Sequence, residues 1–559
     1  MRFVNVKVYT LQTGNIVATA VATRGDRIVA VGNARELPAE GDEIDLGGHT
    51  MLPGLTDAHA HLRNLAEARR SVNLTGARSP QEAADRVAIR ARERDAGSWI
   101  TGRGWDQTRW PGAVFPDSGS LNAAAPENPV ALTRVDGHAL WVNRAAMAAA
   151  GITDQTPDPA GGRILRDPAG HATGILIDAA AGLVRFRIPE TAVPDLTAAV
   201  SAAIDECLRY GLTGVHEMGV DQRTIDVYKS LIDGGRFPFR VLAAINGPGD
   251  TWKEWRERGP ERRYGERLSV SAIKLYADGA LGSRGAALLA PYADDPDNSG
   301  LELASSADLE RWTRDAVEHG FQVCIHAIGD RGNRTVLDVF ERVLRDHPNG
   351  DRRLRDEHAQ MLSASDLPRF KRLGVIPSMQ PTHCTSDSDW AGERLGPERS
   401  ALAYAWRSLI DSGVVIAGGS DFPVESPNPM LGIAAAVTRE QPGSGRGAWH
   451  PEQRMTRTEA IHSFTSWAAY AGFDEEVSGT IEPGKYADMV VLDRDIHDLP
   501  ARRDRRHPRL DDRQRRRDRL PRFLGVVSGH WGLPRDTAAS VPESCSQRSP
   551  LPGVREGGR

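Results

Sequence analysis

Lysine is scarce in this 559-residue chain: six (Lys7, Lys229, Lys253, Lys274, Lys371 and Lys485) stand against 64 arginines. The imbalance reads as codon bias in a GC-rich genome and carries no functional signal. It does make a lysine inside an apolar strand conspicuous. Cysteine is rarer still. Cys207, Cys324, Cys384 and Cys545 have no motif spacing, which excludes a disulfide framework and fits a reducing compartment. No apolar run approaches the ~20 residues of a membrane span. The N-terminal MRFVNVKVYT alternates like a strand and lacks the apolar core of a signal peptide. The net charge of −5 offers no footprint for a polyanion. These absences predict a soluble, cytoplasmic protein with neither a membrane nor a nucleic-acid partner; they leave a homo-oligomer open. Hydrophobic content of 40% and charged content of 26% are ordinary for globular chains.

The length is too great for one small core, and the order of elements says how it divides. Residues 1–53 read as β structure (Phe3–Val8, Ile16–Ala18, Arg27–Val31), with turns at Gly14-Asn15 and Arg24-Gly25-Asp26. So few strands need a partner. Ser478–Asp495 supplies one, so residues 1–53 and 475–496 are predicted to form a small β-sandwich from both ends of the chain. Between them, over 54–474, strand-like and helical runs alternate as in a parallel α/β fold. A helix is expected from Pro80 to about Asp95, with Ser79 as its N-cap and Glu82 three residues on. Another is expected over Asp195–Tyr210. Strands are expected at Thr213–His216, Val270–Ala277, Val323–Ile328, Val375–Gln380 and Val414–Ser420. Residues 98–190, rich in Gly, Pro and Trp, break the alternation and read as an insertion. From 497 to 559 the chain changes character, with eleven arginines between Arg502 and Arg522 and little apolar periodicity. A nucleic-acid arm, a solvated disordered tail and a shifted coding frame are the three readings of this tail.

The organising stretch is Met51–Leu62, MLPGLTDAHAHL. Along a strand, residues two apart share a face, so Asp57, His59 and His61 point the same way. Two imidazoles above a carboxylate make much of a zinc site. A bare His-x-His is more often a pair of ordinary surface histidines, and the rest of the chain decides. Lys274 lies opposite Ile273 and Leu275 and would point into a barrel. Burial lowers an ammonium's pKa, and a neutral amine can take up carbon dioxide as a carbamate; the plain alternative is an ion pair with Asp278. His326, His358 and Asp421 follow, each at a strand end. Alone, each is a common structural residue. In order, at the C-terminal ends of successive strands, they mark the catalytic face of a (β/α)₈ TIM barrel.

These stretches resemble the amidohydrolase superfamily, in particular its YtcJ-like branch (amidohydrolase 3), which includes N-substituted formamide deformylases. The resemblance rests on LPGLTDAHAHL, GRGWDQTRWP, DGHALWVNRAAM, KLYADGALGSRGAAL, IHAIGDRGN, EHAQML, PSMQPTHCTSD, GSDFPVESPNPMLGI and GTIEPGKYADMVVLD, running from Leu52 to Asp493. It implies a distorted TIM barrel with a flanking β-sandwich and one or two divalent metals, usually zinc. By that resemblance His59, His61 and Asp421 bind the first metal, carboxylated Lys274 bridges, and His326 and His358 hold the second. In two places the chain departs from the pattern. Arg352–Asp356 is highly charged for an inner strand, and no strand pattern is found after Asp495.

A metal lowers the pKa of water toward ~7 and polarises a carbonyl. Asp421, with Lys274 the candidate catalytic pair, would take the water's proton and pass it to the departing nitrogen. Trp105, Asp106, Trp110 and His138 are candidate substrate-binding residues on the insertion, with ordinary packing as the alternative for the tryptophans. Gly282-Ser283 and Gly329-Asp330 are expected to shape loops. The expected function is metal-dependent hydrolysis of a non-peptide C–N bond in a small linear N-substituted amide or formamide. A cyclic-amide hydrolase and a non-catalytic regulatory or scaffold barrel are the alternatives.

Overall fold

Eight parallel strands form the centre of a computed structural model of the chain, which describes residues 1–12, 17–135, 137, 139–159, 161–498 and 523–527. They are β1 (Leu55–Ala60), β2 (Leu212–Val220), β3 (Arg240–Asn246), β4 (Leu268–Tyr276), β5 (Gln322–Ala327), β6 (Arg355–His358), β7 (Ile376–Met379) and β8 (Ala417–Gly418). Each pairs in parallel with the next in this order. The circle closes beyond β8, where the Asp421 amide donates to the His59 carbonyl and the His61 amide to that of Phe422. The result is the expected TIM barrel. Its strands other than β6 are largely apolar because both faces are covered. Helix Asp330–Asp346, for example, buries Val336, Leu337, Val339, Phe340 and Val343 on one side. Each such side chain contributes about 1.5–3 kcal/mol by leaving water. β3 was not singled out in the sequence, and β8 is shorter than Val414–Ser420 because only Ala417 and Gly418 have partners on β7.

Between β1 and β2 the chain builds a second sheet of six strands. They run from Val72–Asn73 through Ile100–Trp105, Val130–Arg134, Ala139–Val142 and Gly162–Arg166 to Ala172–Asp178. Five of the six lie in the stretch that breaks the alternation; the first strand and helix Pro80–Ala91 precede it. Ser79 caps that helix as expected, its side chain accepting the Glu82 amide at 3.1 Å.

Both chain ends meet in two further sheets, as a small β-sandwich requires. One holds Arg2–Val4, Ala20–Arg24, Arg27–Gly32 and Glu43–Asp45; the other holds Lys7–Tyr9, Val17–Ala18, Thr50–Pro53, Met489–Leu492 and Phe523–Val527. Phe3, Val8, Val21, Ile28, Met51, Met489 and Val491 fill the space between them. The run Phe3–Val8 is two strands in different sheets, because Asn5 adopts φ +52° and turns the chain. The turn at Gly25 forms as expected; that at Gly14-Asn15 lies outside the described residues. One strand does follow Asp495. Phe523–Val527 pairs antiparallel with Met489–Leu492, just past the arginine run, and corrects the expectation of none. Residues 499–522 and 528–559, to which the three readings of the tail apply, lie outside the described residues.

Candidate metal centre

β1 presents its histidines as the alternation predicts, but the carboxylate beneath them is a different one. Asp57 is turned toward β8: it accepts the Ser420 amide at 3.0 Å and the Ser420 hydroxyl at 2.6 Å. The carboxylate under His59 is Glu357 of β6, with Oε2 2.6 Å from Nδ1. His61 Nδ1 is 2.8 Å from the Met218 carbonyl, and His358 Nδ1 is 2.7 Å from Gln380 Oε1. Each Nδ1 is thus engaged from behind, which fixes the ring and leaves Nε2 as the free donor, as ligating histidines require. His61 Nε2 and His59 Nε2 lie 3.0 and 3.7 Å from Asp421 Oδ1. Asp421 has φ +58°, a conformation that Asp tolerates better than most residues. Ahead of it, Gly419 permits close passage over β1: a Cβ there would lie 2.6 Å from the His59 nitrogen.

A second group shares the same aspartate. Ligand atoms of His358, His383 and Asp421 lie within 4.8 Å of one another, as do those of His59, His61 and Asp421. His383 was not picked from the sequence. It sits on helix Pro381–Asp387, directly after β7, and its Nε2 lies 3.8 Å from Asp421 Oδ2. The available signal was its place just beyond a strand's C-terminal end, where the other candidates also stand. His326 lies beside this group rather than within it. Its ring centroid is 4.6 Å from that of His358, and its Nε2 is 3.6 Å from Asp278 Oδ1.

Lys274 is fully buried, and its Nζ lies 3.4 Å from His59 Nε2. It does not pair with Asp278, whose oxygens accept the amides of Ala287, Ile328 and Gly329 at 2.8–2.9 Å. Burial lowers the pKa of the Lys274 amine. Burial, with the Lys274 charge, pulls His59 down to about 4 and His326 to about 3. Desolvation and the neighbouring His326 push His358 well below its usual range. Burial would raise Asp421. The imidazole of His61, 3.0 Å away, and those of His59, His358 and His383 around it outweigh burial and hold the carboxyl well below the ordinary range. Neutral imidazoles at His59, His326 and His358 beside an ionised carboxylate suit a divalent cation, while at His61 the Asp421 carboxylate outweighs burial and raises the pKa. The buried Nε2 atoms of His326 and His383 make no hydrogen bond to protein. On both counts the residues present fit a metal.

In the charged strand that looked unsuited to a barrel interior, Arg355 and Glu357 form a buried network, whereas both carboxyl oxygens of the buried Asp356 have no hydrogen-bond partner among the described residues. Arg355 and Glu357 are both 0% exposed and pair at 2.7 Å. Arg355 also donates to His216 Nδ1 at 2.8 Å, to the Ala58 carbonyl at 2.6 Å and to Ser378 Oγ at 3.0 Å. Buried charges persist when paired and hydrogen-bonded in this way. Glu357 in turn holds His59, so the strand that breaks the apolar pattern carries the support for the metal ligands.

Trp105 and Trp110 are packed in the core of the inserted sheet, against each other and Trp141. Their indole N–H groups donate to the carbonyls of Leu132 and Ala77, both at 2.8 Å. Asp106 accepts from Thr108 and pairs with Arg134 at 3.0 Å. His138 lies outside the described residues. Gly329-Asp330 does tie loops together: the Gly329 amide donates to Asp278, and Asp330 Oδ1 accepts the Leu289 amide at 2.8 Å. Ser283 donates to the Ala280 carbonyl within its own loop.

Imidazoles and one shared carboxylate gathered at the C-terminal mouth of a (β/α)₈ barrel define a metal-dependent hydrolase. A family model described as the amidohydrolase family matches residues 42–510, and the chain belongs to that family. It is a hydrolase acting on carbon–nitrogen bonds. It is 34% identical over 463 residues to the YtcJ protein of Bacillus subtilis, covering 82% of this chain and 86% of that one. It is 29% identical over 519 residues to the N-substituted formamide deformylase of Arthrobacter pascens, covering 89% and 93%. The crystal structure of an uncharacterized metal-dependent hydrolase from Pyrococcus horikoshii superposes with a TM-score of 0.76 at 29% identity, covering 88% and 97%. No helix among the described residues is long and apolar enough to cross a membrane.

One expectation follows for the residue the sequence reading missed. Replacing His383 by alanine removes one of three donors from the second group and leaves His59, His61 and Asp421 in place. Metal content per chain should fall by about one equivalent, with affinity at that position reduced at least ~10–100-fold. Elemental analysis after dialysis checks this; an unchanged content would remove His383 from the ligand set.

Proposed function

We propose that the protein hydrolyses a linear N-substituted amide or formamide at its C–N bond, in the cytoplasm, using zinc as its divalent metal. The observation that carries this reading is the position of Asp421, one carboxylate between two clusters of imidazole nitrogens. In the proposed centre His59, His61 and Asp421 hold one ion. His358 and His383, with the same aspartate, hold a second, and His326 stands beside it as a further donor. Lys274 is proposed to carry the bridging carbamate; its burial and its lack of a carboxylate partner among the described residues support that role. The nitrogen-rich donor set suits zinc. When bound, the metal acidifies water and polarises the scissile carbonyl.

The remaining work falls to the chain's own groups. One oxygen of the Asp421 carboxylate accepts a proton from the attacking water and returns it to the departing nitrogen. An amine leaves poorly without that proton, so the relay matters most for amides. Glu357, the Met218 carbonyl and Gln380 keep His59, His61 and His358 in place meanwhile. The choice of a formamide is supported by the relative from Arthrobacter pascens, matched over 93% of its length. The cytoplasmic assignment is supported by Cys207, Cys324 and Cys384, all buried and unpaired.

Turnover of a panel containing N-butylformamide, N-butylacetamide and a cyclic amide such as hydantoin tests the reading. The linear formamide should be the best substrate. Preference for the ring compound would replace this assignment with a cyclic-amide hydrolase. Absence of both turnover and bound metal in folded protein would point to a regulatory barrel.

A further inference from the structure

Tyr276 ends β4 two residues after Lys274, so the two side chains share the inward face of the strand. Its ring centroid lies 5.8 Å from that of His326, and Lys274 Nζ stands 5.3 Å from the same centroid. The hydroxyl reaches past β3 to the end of β2, where a Cβ built on Gly219 would meet it at 3.4 Å. Gly219 follows Met218, whose carbonyl holds His61. The ring thus stands beside His326 while its hydroxyl lies near the C-terminal end of β2.

Several other tyrosines of the chain use their hydroxyls in the fold. Tyr404 donates to Asp387 at 2.5 Å, Tyr292 to the Ala286 carbonyl at 2.8 Å and Tyr264 to Asp233 at 2.7 Å. Among the described residues, Tyr276 has no such partner for its hydroxyl. Phenylalanine would fill the same space, so packing alone does not call for the oxygen. A phenol is a neutral donor at pH 7, since its proton ordinarily leaves only near ~10.

We propose that Tyr276 is a catalytic hydrogen-bond donor whose hydroxyl binds the carbonyl oxygen of the amide substrate and holds it as that oxygen gains negative charge. The inference rests on the amidase reading above and adds the residue that receives the acyl group. The donor comes from the rigid end of β4 and is aimed before substrate arrives, so little reorganisation accompanies the reaction. Preorganised donors of this kind contribute about 10²–10³-fold to turnover.

The test compares zinc-reconstituted wild type with Tyr276→Phe. Four quantities are read: kcat and KM on N-butylformamide, zinc per chain, thermal midpoint, and affinity for methylphosphonate, a tetrahedral anion. In the variant kcat should fall about 10²-fold or more while KM changes little. Zinc content and midpoint should stay at wild-type values. Methylphosphonate should bind about tenfold more weakly, as expected for one lost hydrogen bond to a charged group. A kcat within about threefold of wild type, or zinc lost in step with kcat, overturns the assignment, because a working oxyanion donor is worth far more. A wild type that hydrolyses no member of the amide panel instead overturns the amidase reading, and methylphosphonate then decides alone. Tenfold weaker binding in the variant supports the hydroxyl's role, and equal binding overturns it.

Discussion

Asp421→Asn should lower kcat on the best amide substrate by about 10²–10⁴-fold, the usual range for removing a positioned proton carrier. Asparagine is nearly isosteric and keeps φ +58° accessible, so the loop after β8 should survive. What is lost is the negative charge that both histidine groups share, and with it the proposed site for taking and returning a proton. The native carboxyl is held well below its usual range by the neighbouring His61 and the flanking imidazoles, which outweigh its burial. It therefore stays ionised throughout the neutral range, and no loss of activity between pH 6 and 8 should trace to it. Steady-state rates beside thermal melts check the variant. Activity within tenfold of wild type in a well-folded protein would exclude Asp421 as the proton carrier.

Arg355→Met should destabilise the barrel by about 3–5 kcal/mol, the cost of leaving one member of a buried ion pair without the other. In the native protein burial would raise the Glu357 carboxyl, but Arg355, with His59, holds it well below the ordinary range. A carboxylate depressed in this way contributes stability that is fully present above its unfolded pKa of ~4.3. That contribution is lost only as pH falls through the lower native value. Without the guanidinium, burial dominates and the sign reverses: the variant should lose stability as pH rises toward neutrality. His216, Ser378 and the Ala58 carbonyl also lose their donor. Thermal midpoints of both proteins between pH 4 and 8 test this, and a variant melting within a degree of wild type at pH 8 would refute it.

Much of this architecture is legible in the sequence because the barrel repeats a simple rule. His59, His61, Lys274, His326, His358 and Asp421 all stand at or near strand ends, all but His358 on apolar strands, and strand ends are where such a barrel puts its chemistry. Harder to read was whatever depends on partners distant in sequence. Asp57 satisfies the alternation rule yet serves Ser420, while Glu357, 298 positions from His59, takes the supporting role. The charges of Arg355, Asp356 and Glu357 argue against an inner strand when read one residue at a time. Only the folded chain shows Arg355 and Glu357 meeting. His383 was hidden for a local reason: Pro381 starts a helix, so the residue sits beyond the last strand position. Asn5 splits a continuous alternation by adopting a left-handed conformation, which its side chain permits but does not announce. Phe523–Val527 was obscured by the arginines that precede it.

The proposed centre is a metal pair gathered around Asp421 and bridged through Lys274. Elemental analysis of wild type and Lys274→Ala, both purified with bicarbonate, tests it most directly. The wild-type chain should hold about two zinc ions, falling to one or none in the variant. One ion per chain in both proteins would contradict the bridge and leave a single site held by His59, His61 and Asp421. No metal in well-folded wild type would contradict the account as a whole.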